Sequence, residues 1–326
     1  YNDKGTCPVT FIKEHLESVL PAVDKLGVKT LLVCDGNYFK VLTKSRTSEP
    51  HHGYILPCAI DGYRHLNVIL SVNHTALFYN PAHQNNLDLS LKTLSNHVAG
   101  IHKDIGSGII HSESYPKTIS DIRKALASLH QYDAVTCDLE AFSLDFWKAG
   151  IGTIEFSWDK HNGIAFPVDY VDISDNLSSH FGDNNPHSVY AIEVRKLLKE
   201  FFESYKGKVI YHNANYDMKL LVYGLWMKDL LDHKGMIEGI GVVTRNFEDT
   251  KIITYLATNS CACNNLKLKH LAHEFAGNYA ESEINDIRKI EQGNLLRYNL
   301  IDGLCTWYVY DKYFPLMVAD DQLSIY

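Results

Sequence analysis

The sequence has no apolar run near the 18 or so residues that a membrane-spanning helix needs. Its first residues, Tyr1-Asn2-Asp3-Lys4, lack the charged-then-apolar order of a secretory signal. The chain therefore reads as soluble, intracellular and not secreted. Paired cysteines are missing too. The 7 cysteines are odd in number and scattered through predicted strands and helices, which argues for reduced buried thiols rather than a disulfide framework. Cys261 and Cys263 stand too close together, with no second pair, for a zinc site. Basic charge is short, with 31 Lys and Arg against 39 Asp and Glu and a net charge of −8. That balance disfavours a protein gripping phosphates with cationic side chains. It leaves open a protein that gathers carboxylates around divalent metals, because the metals reverse the local sign. No internal repeat or low-complexity tract is visible.

What is present suffices for real cores: 326 residues, 45% of them hydrophobic, make two domains the expectation. Residues 1–101 read as a small α/β unit. Thr10 to Leu26 is helix-like with an interruption at Pro21, Lys29 to Asp35 a compact strand, Gly36 to Leu42 a short helix, and Thr43 to Gly53 a loop. Asn67 to Asn73 is a second β-rich run, and Leu87 to Ile101 has the period of an amphipathic helix. The Gly, Ser and Pro content of residues 102–118 marks a linker. Residues 119–326 form the second domain.

The second domain opens with a helix from Ile119 to Leu129 and a strand from Ala134 to Leu139. Strands follow at Gly152 to Trp158 and Gly163 to Val171, separated by Asp159-Lys160-His161-Asn162, and Asn162-Gly163 is a hairpin signal because both residues tolerate positive φ. A helix from Ser188 to Tyr205, a strand from Lys208 to Tyr211 and a helix starting near Tyr216 complete the pattern. Three antiparallel strands, a helix, then a strand returning beside the first is the order of a ribonuclease H-like α/β fold.

Three acidic elements lie on this frame. Asp138-Leu139-Glu140 closes an apolar strand, and residues two apart share a face, so the two carboxylates point the same way and repel. Taken alone, the pair also fits a strand ending in solvated acids. Asp217 falls in the first turn of the helix after Val209-Ile210-Tyr211-His212-Asn213, where the dipole favours a carboxylate and an ordinary helix-start Asp is equally at home. Tyr298 and Asp302 are spaced i, i+4 on one helix face, and an Asp among Leu300, Ile301, Leu304 and Trp307 needs a metal or a donor if buried.

D-x-E, then N-x-x-(Y/F)-D, then Y-x-x-x-D, in this order, resembles the three motifs of the DEDD exonuclease superfamily, tyrosine subtype. Ser143-Leu144, Asp249-Thr250-Lys251-Ile252 and Leu266-Lys267-Leu268-Lys269-His270-Leu271-Ala272 extend the resemblance to the 3′→5′ proofreading domain of a bacteriophage family A DNA polymerase, over about residues 119 to 315. The resemblance implies a site of Asp138, Glu140, Asp217, Tyr298 and Asp302. The four carboxylates would hold two divalent ions, Mg²⁺ or Mn²⁺, whose oxygen-ligand chemistry suits them. Asp138 would bridge both ions, Glu140 and Asp302 would complete one, and Asp217 would support the other through water. Tyr298 would orient the attacking water with its phenol protonated. Leu144 matches an apolar wedge against the terminal bases and equally fits a core leucine. Asn213 matches a position near the terminal nucleotide or a helix cap. His212 and His270 read as structural. Lys219, Lys251, Lys267 and Lys269 are phosphate candidates or solvated lysines.

The implied substrate is single-stranded DNA or a primer 3′ terminus, and the implied partner a polymerase domain C-terminal to this chain or supplied separately. The implied location is the cytoplasm of an infected bacterial host. In the first unit, Leu31 to Leu42 and Val68 to Pro81 faintly resemble part of a uracil-DNA glycosylase. His74 stands at the motif histidine, but Thr75 replaces the usual proline and no acidic water-activating motif is found, so a non-catalytic unit is expected. Two alternatives share these features: a stand-alone DEDD exoribonuclease, and a non-catalytic DNA-binding or polymerase-docking module. Against the first, no helical RNA-binding domain follows the site. Against the second, no motif carboxylate is missing.

Overall fold

The computed structural model describes residues 7–81, 83–173, 180–258, 265–279 and 286–326. Tyr1 to Lys4 and the Cys261 and Cys263 pair lie outside the described residues. The chain divides into two compact units, Tyr1–Ser107 and Gly108–Tyr326.

The first unit runs α1 (Val9–Lys25), β1 (Thr30–Val33), α2 (Gly36–Thr43), β2 (Ile55–Pro57), β3 (Asn67–Leu70), α3 (Ala76–Tyr79) and α4 (His83–Val98). β3 lies between β1, which it pairs in parallel, and β2, which it pairs antiparallel. Ile12, Leu16 and Leu20 of α1 pack with Phe39, Leu42, Val68 and Leu70. The expected interruption at Pro21 does not occur, since α1 continues to Lys25. Pro21 sits on the exposed side, where the carbonyl it leaves unpaired can meet water, while the i, i+4, i+8 stripe is anchored in the core. The stretch read as a loop from Thr43 to Gly53 contains a short 3₁₀ turn, Glu49–His51.

The second unit runs β4 (Ser112–Ser114), α5 (Ile119–Leu129), β5 (Ala134–Thr136), β6 (Asp138–Ala141), α6 (Phe146–Ala149), β7 (Ile151–Ser157), β8 (Asn162–Pro167), β9 (Tyr170–Asp172), β10 (Gly182–Asn184), α7 (Val189–Ser204), β11 (Lys208–Tyr211), α8 (Asn215–Leu225), α9 (His233–Val243), β12 (Phe247–Asp249), α10 (Thr250–Ala257), α11 (Leu268–Leu271), α12 (His273–Ala276) and α13 (Gln292–Ala319). β6, β7 and β8 form an antiparallel run, with β4 added in parallel beside β8. β5 pairs in parallel with β11, and β11 with β12. Cys137 N–H bonds to Ile210 O (3.0 Å), so residues 134–141 act as one strand joining the two sheets. Antiparallel β6 to β8 followed by parallel β11 and β12 is the ribonuclease H-like order.

Two local expectations are corrected, and the expected hairpin between β7 and β8 forms by another kind of turn. Residues 102–118 are not all connector, because Ser112–Ser114 pairs with β8. The run from Gly163 to Val171 is two strands, broken where Asp169 turns inward to pair with Arg195 and to accept the Ile151 N–H (2.7 Å). Neither Asn162 nor Gly163 has positive φ. The Asp159 carboxylate makes the turn instead, accepting the His161 N–H (2.7 Å) and the Asn162 amide (2.8 Å). Gly163 is needed for space, because a Cβ there would lie 2.4 Å from Ser157 Oγ and 2.7 Å from Leu300 Cδ1. Among the described residues, no helix is long and apolar enough to cross a membrane.

Candidate active site

β6 pairs with β7 in the register Asp138↔Glu155 and Glu140↔Thr153, and Leu139 points to the opposite, buried face. α13 crosses this hairpin and packs against β7 and β8. It brings Asp302 to Asp138 and Glu140, and oxygen atoms of these three carboxylates lie within 4.8 Å of one another. Asp217, in the first turn of α8, is buried beside them but outside that spacing.

Burial, then mutual repulsion, sets the ionisation of the cluster. Burial and the neighbouring Asp217, Asp302 and Glu140 push Asp138 well above the usual carboxylate range. Burial and Asp302 raise Glu140 to about 8. Asp217 is raised to about 8 and Asp302 to about 6, in both cases chiefly by burial. Tyr298 is raised far above an ordinary phenol by burial and by Asp302, so its hydroxyl stays protonated. Among the described residues, none of the four carboxylates is in a salt bridge. Lys269 is the cation that eases Glu140 and Asp302, and its Nζ stands 5.0 Å from the centre of the Tyr298 ring. Converging, unneutralised hard oxygen donors fit a divalent cation of the Mg²⁺ or Mn²⁺ type.

The other candidates resolve individually. Leu144 is 88% exposed, which removes the core-leucine reading. Asn213 is not the cap of α8, a position held by Ala214. Asn213 has φ +67°, its N–H and that of Ala214 are held by the Asp249 carboxylate (2.9 and 3.0 Å), and its Oδ1 accepts from Lys251 Nζ (3.1 Å). His212 is a neutral structural residue: its ring bonds Thr250 Oγ1 (2.8 Å) and Leu266 O (3.0 Å), and burial lowers it to about 4. Lys219, Lys267 and His270 are exposed.

Three residues around the cluster were not anticipated. Asn299, fully buried, donates from Nδ2 to Asp138 Oδ2 (2.8 Å) and accepts at Oδ1 from Thr153 Oγ1 (2.9 Å). Tyr279 donates its hydroxyl to Asp302, supplying the donor that a buried Asp requires. Glu155, fully buried, accepts from Ser157 Oγ (2.9 Å) and lies against Gly303, where a Cβ would fall 2.0 Å from the carboxylate. Asn299 was within reach of the sequence, since i and i+3 from Asp302 share a helix face. Tyr279 and Glu155 carried no motif.

The family model described as 3′-5′ exonuclease matches residues 114–298, a segment that holds Asp138, Glu140 and Asp217 and ends on Tyr298. No curated protein matches the chain. Among solved structures the chain is similar to NrnC of Brucella melitensis with bound Mg²⁺, 14% identical over 66% of this chain and 85% of that one, with a TM-score of 0.43. It is also similar to the catalytic core of RRP6 from Trypanosoma brucei, 15% identical over 66% of this chain and 49% of that one, with a TM-score of 0.43. The RNase domain of yeast Pop2 is 15% identical over 59% of this chain and 85% of that one, with a TM-score of 0.36.

Proposed function

This chain belongs to the 3′-5′ exonuclease family, and from that premise we propose that it removes nucleotides from the 3′ end of single-stranded DNA, releasing 5′-monophosphates, as the proofreading part of a bacteriophage family A DNA polymerase. The observation that carries this reading is the meeting of Asp138, Glu140 and Asp302 within 4.8 Å, on the strand and helix that the motifs specify. Among the described residues none of these carboxylates is in a salt bridge, and Lys269 only eases Glu140 and Asp302; such a cluster suits a divalent metal.

Two divalent ions would supply an activated water and charge stabilisation for an in-line displacement at phosphorus. Asp138, Glu140 and Asp302 would hold metal directly, and Asp217, buried beside them, would support it. The Tyr298 hydroxyl, kept protonated by burial and the adjacent carboxylates, orients the attacking water. Exposed Leu144 serves as a wedge at the terminal bases, with Asn213, held by Asp249 and Lys251, beside the terminal nucleotide. The first unit is read as non-catalytic, the polymerase domain as C-terminal or separate, and the setting as the cytoplasm of an infected bacterium.

The test is digestion of 5′-labelled single-stranded DNA and the matching RNA with Mg²⁺ or Mn²⁺. Stepwise shortening of DNA from the 3′ end, abolished by a chelator, is expected. Intact DNA alongside digested RNA would transfer the reading to the exoribonuclease alternative, and two intact substrates would refute it.

A further inference from the structure

Asp138 is surrounded by like charges, and rotation of its carboxylate would misplace the oxygens that would hold metal. Among the described residues, one neutral side chain holds it. Asn299 Nδ2 donates to Asp138 Oδ2 at 2.8 Å from a fully buried position on α13. The orientation of that amide is itself fixed. Thr153 Oγ1 donates to Asn299 Oδ1 at 2.9 Å, and Thr153 sits on β7 opposite Glu140 with no exposed surface. An ionised Asp138 only accepts, so the amide turns its NH₂ end to Asp138 and leaves its oxygen to accept from the Thr153 hydroxyl, which anchors it there. It also links the three pieces that must align: β7, α13 and β6.

We infer that Asn299, anchored by Thr153, is the positioning residue that presets the Asp138 carboxylate for metal. This rests on the metal-site reading of the cluster, though not on the choice of DNA as substrate. An outer group bonded to a ligating carboxylate commonly sets metal affinity or activity by about 10- to 100-fold when removed. Replacement by an apolar side chain leaves Asp138 free to turn toward solvent. Replacement by a carboxylate sets a lone pair against Asp138 Oδ2 and adds to the local negative charge.

The experiment measures Mn²⁺ and Mg²⁺ binding to the full chain by calorimetry without nucleic acid, together with thermal melting and digestion across a metal titration. The variants are Asn299→Ala, Asn299→Asp and Thr153→Val. Asn299→Ala should weaken metal binding by about 10-fold, with most of the cleavage rate recovered at saturating metal. Thr153→Val, nearly isosteric, should weaken binding in the same direction by less, with little change in melting. Asn299→Asp should not restore wild-type affinity. Lower melting in Asn299→Ala or Thr153→Val with unchanged metal affinity would overturn the assignment, reducing Asn299 to a packing residue. Wild-type protein that binds metal but leaves single-stranded DNA intact would instead overturn the proposed function while the binding comparison still reads on Asn299.

Discussion

Asp138→Asn should make the metal-free protein more stable and the metal-loaded protein less so. Asp138 has carboxylates of Glu140 and Asp302 within 4.8 Å, and two unit charges at that distance repel by about 3 kcal/mol at an effective dielectric of about 20. Part of this repulsion is already relieved near neutral pH, because Glu140 is raised to about 8 and Asp138 itself well above the usual carboxylate range. The expected gain is therefore about 1–3 kcal/mol, or a rise of several degrees in Tm for a unit of this size. The amide introduced by the substitution can still accept from Asn299, so no donor is stranded. The sign with pH follows from linkage. The native cluster holds protons that the unfolded chain has lost between about pH 4 and pH 8, so metal-free stability falls as pH rises through that window. The advantage of Asp138→Asn should accordingly be absent below about pH 4 and grow toward pH 8. Differential scanning fluorimetry with chelator, then with Mn²⁺, reads both effects. A metal-free variant that melts below wild type at pH 8, or a wild type whose Tm ignores divalent ions, would refute the reasoning.

Tyr298→Phe keeps the ring under Lys269 but removes the hydroxyl, so calorimetric metal binding should persist while single-turnover cleavage falls by about 10- to 10³-fold. Gly303→Ala would place a methyl 2.0 Å from the Glu155 carboxylate; chemical denaturation should show a loss of about 1–3 kcal/mol, and unchanged stability would mean that Glu155 has room to move. The first unit, whose exposed His74 lacks an acidic partner motif, should excise no uracil from uracil-containing DNA, an outcome reversed if abasic sites appear and vanish in His74→Ala.

Much of the site was legible because its chemistry is written in short spacings. Asp138 and Glu140 share a strand face two residues apart, and Tyr298 and Asp302 share a helix face four apart, so local geometry alone places each pair. Bringing the pairs together is a long-range property, legible only through the ordered motifs. What escaped is what depends on contacts between distant elements. Asn299 is anchored by Thr153, which is 146 residues away in the chain, and Tyr279 reaches Asp302 from a segment with no motif. The expected hairpin between β7 and β8 forms, but by a turn of another kind. Asn162-Gly163 carries a turn signal, yet the Asp159 carboxylate makes the turn and packing against Leu300 explains the glycine. Leu144 and Asn213 could not be assigned from spacing because exposure and a left-handed backbone are not sequence properties.

The most direct test of the central claim is single-turnover digestion of 5′-labelled single-stranded DNA by wild type and Asp138→Ala, each with Mg²⁺ and each with excess chelator. The expected result is a 3′→5′ ladder from wild type with Mg²⁺ alone, no ladder from the variant, and retained folding of the variant by thermal melting. Wild-type rates from Asp138→Ala, or cleavage that survives the chelator, would contradict the assignment of a metal-dependent exonuclease site to these carboxylates.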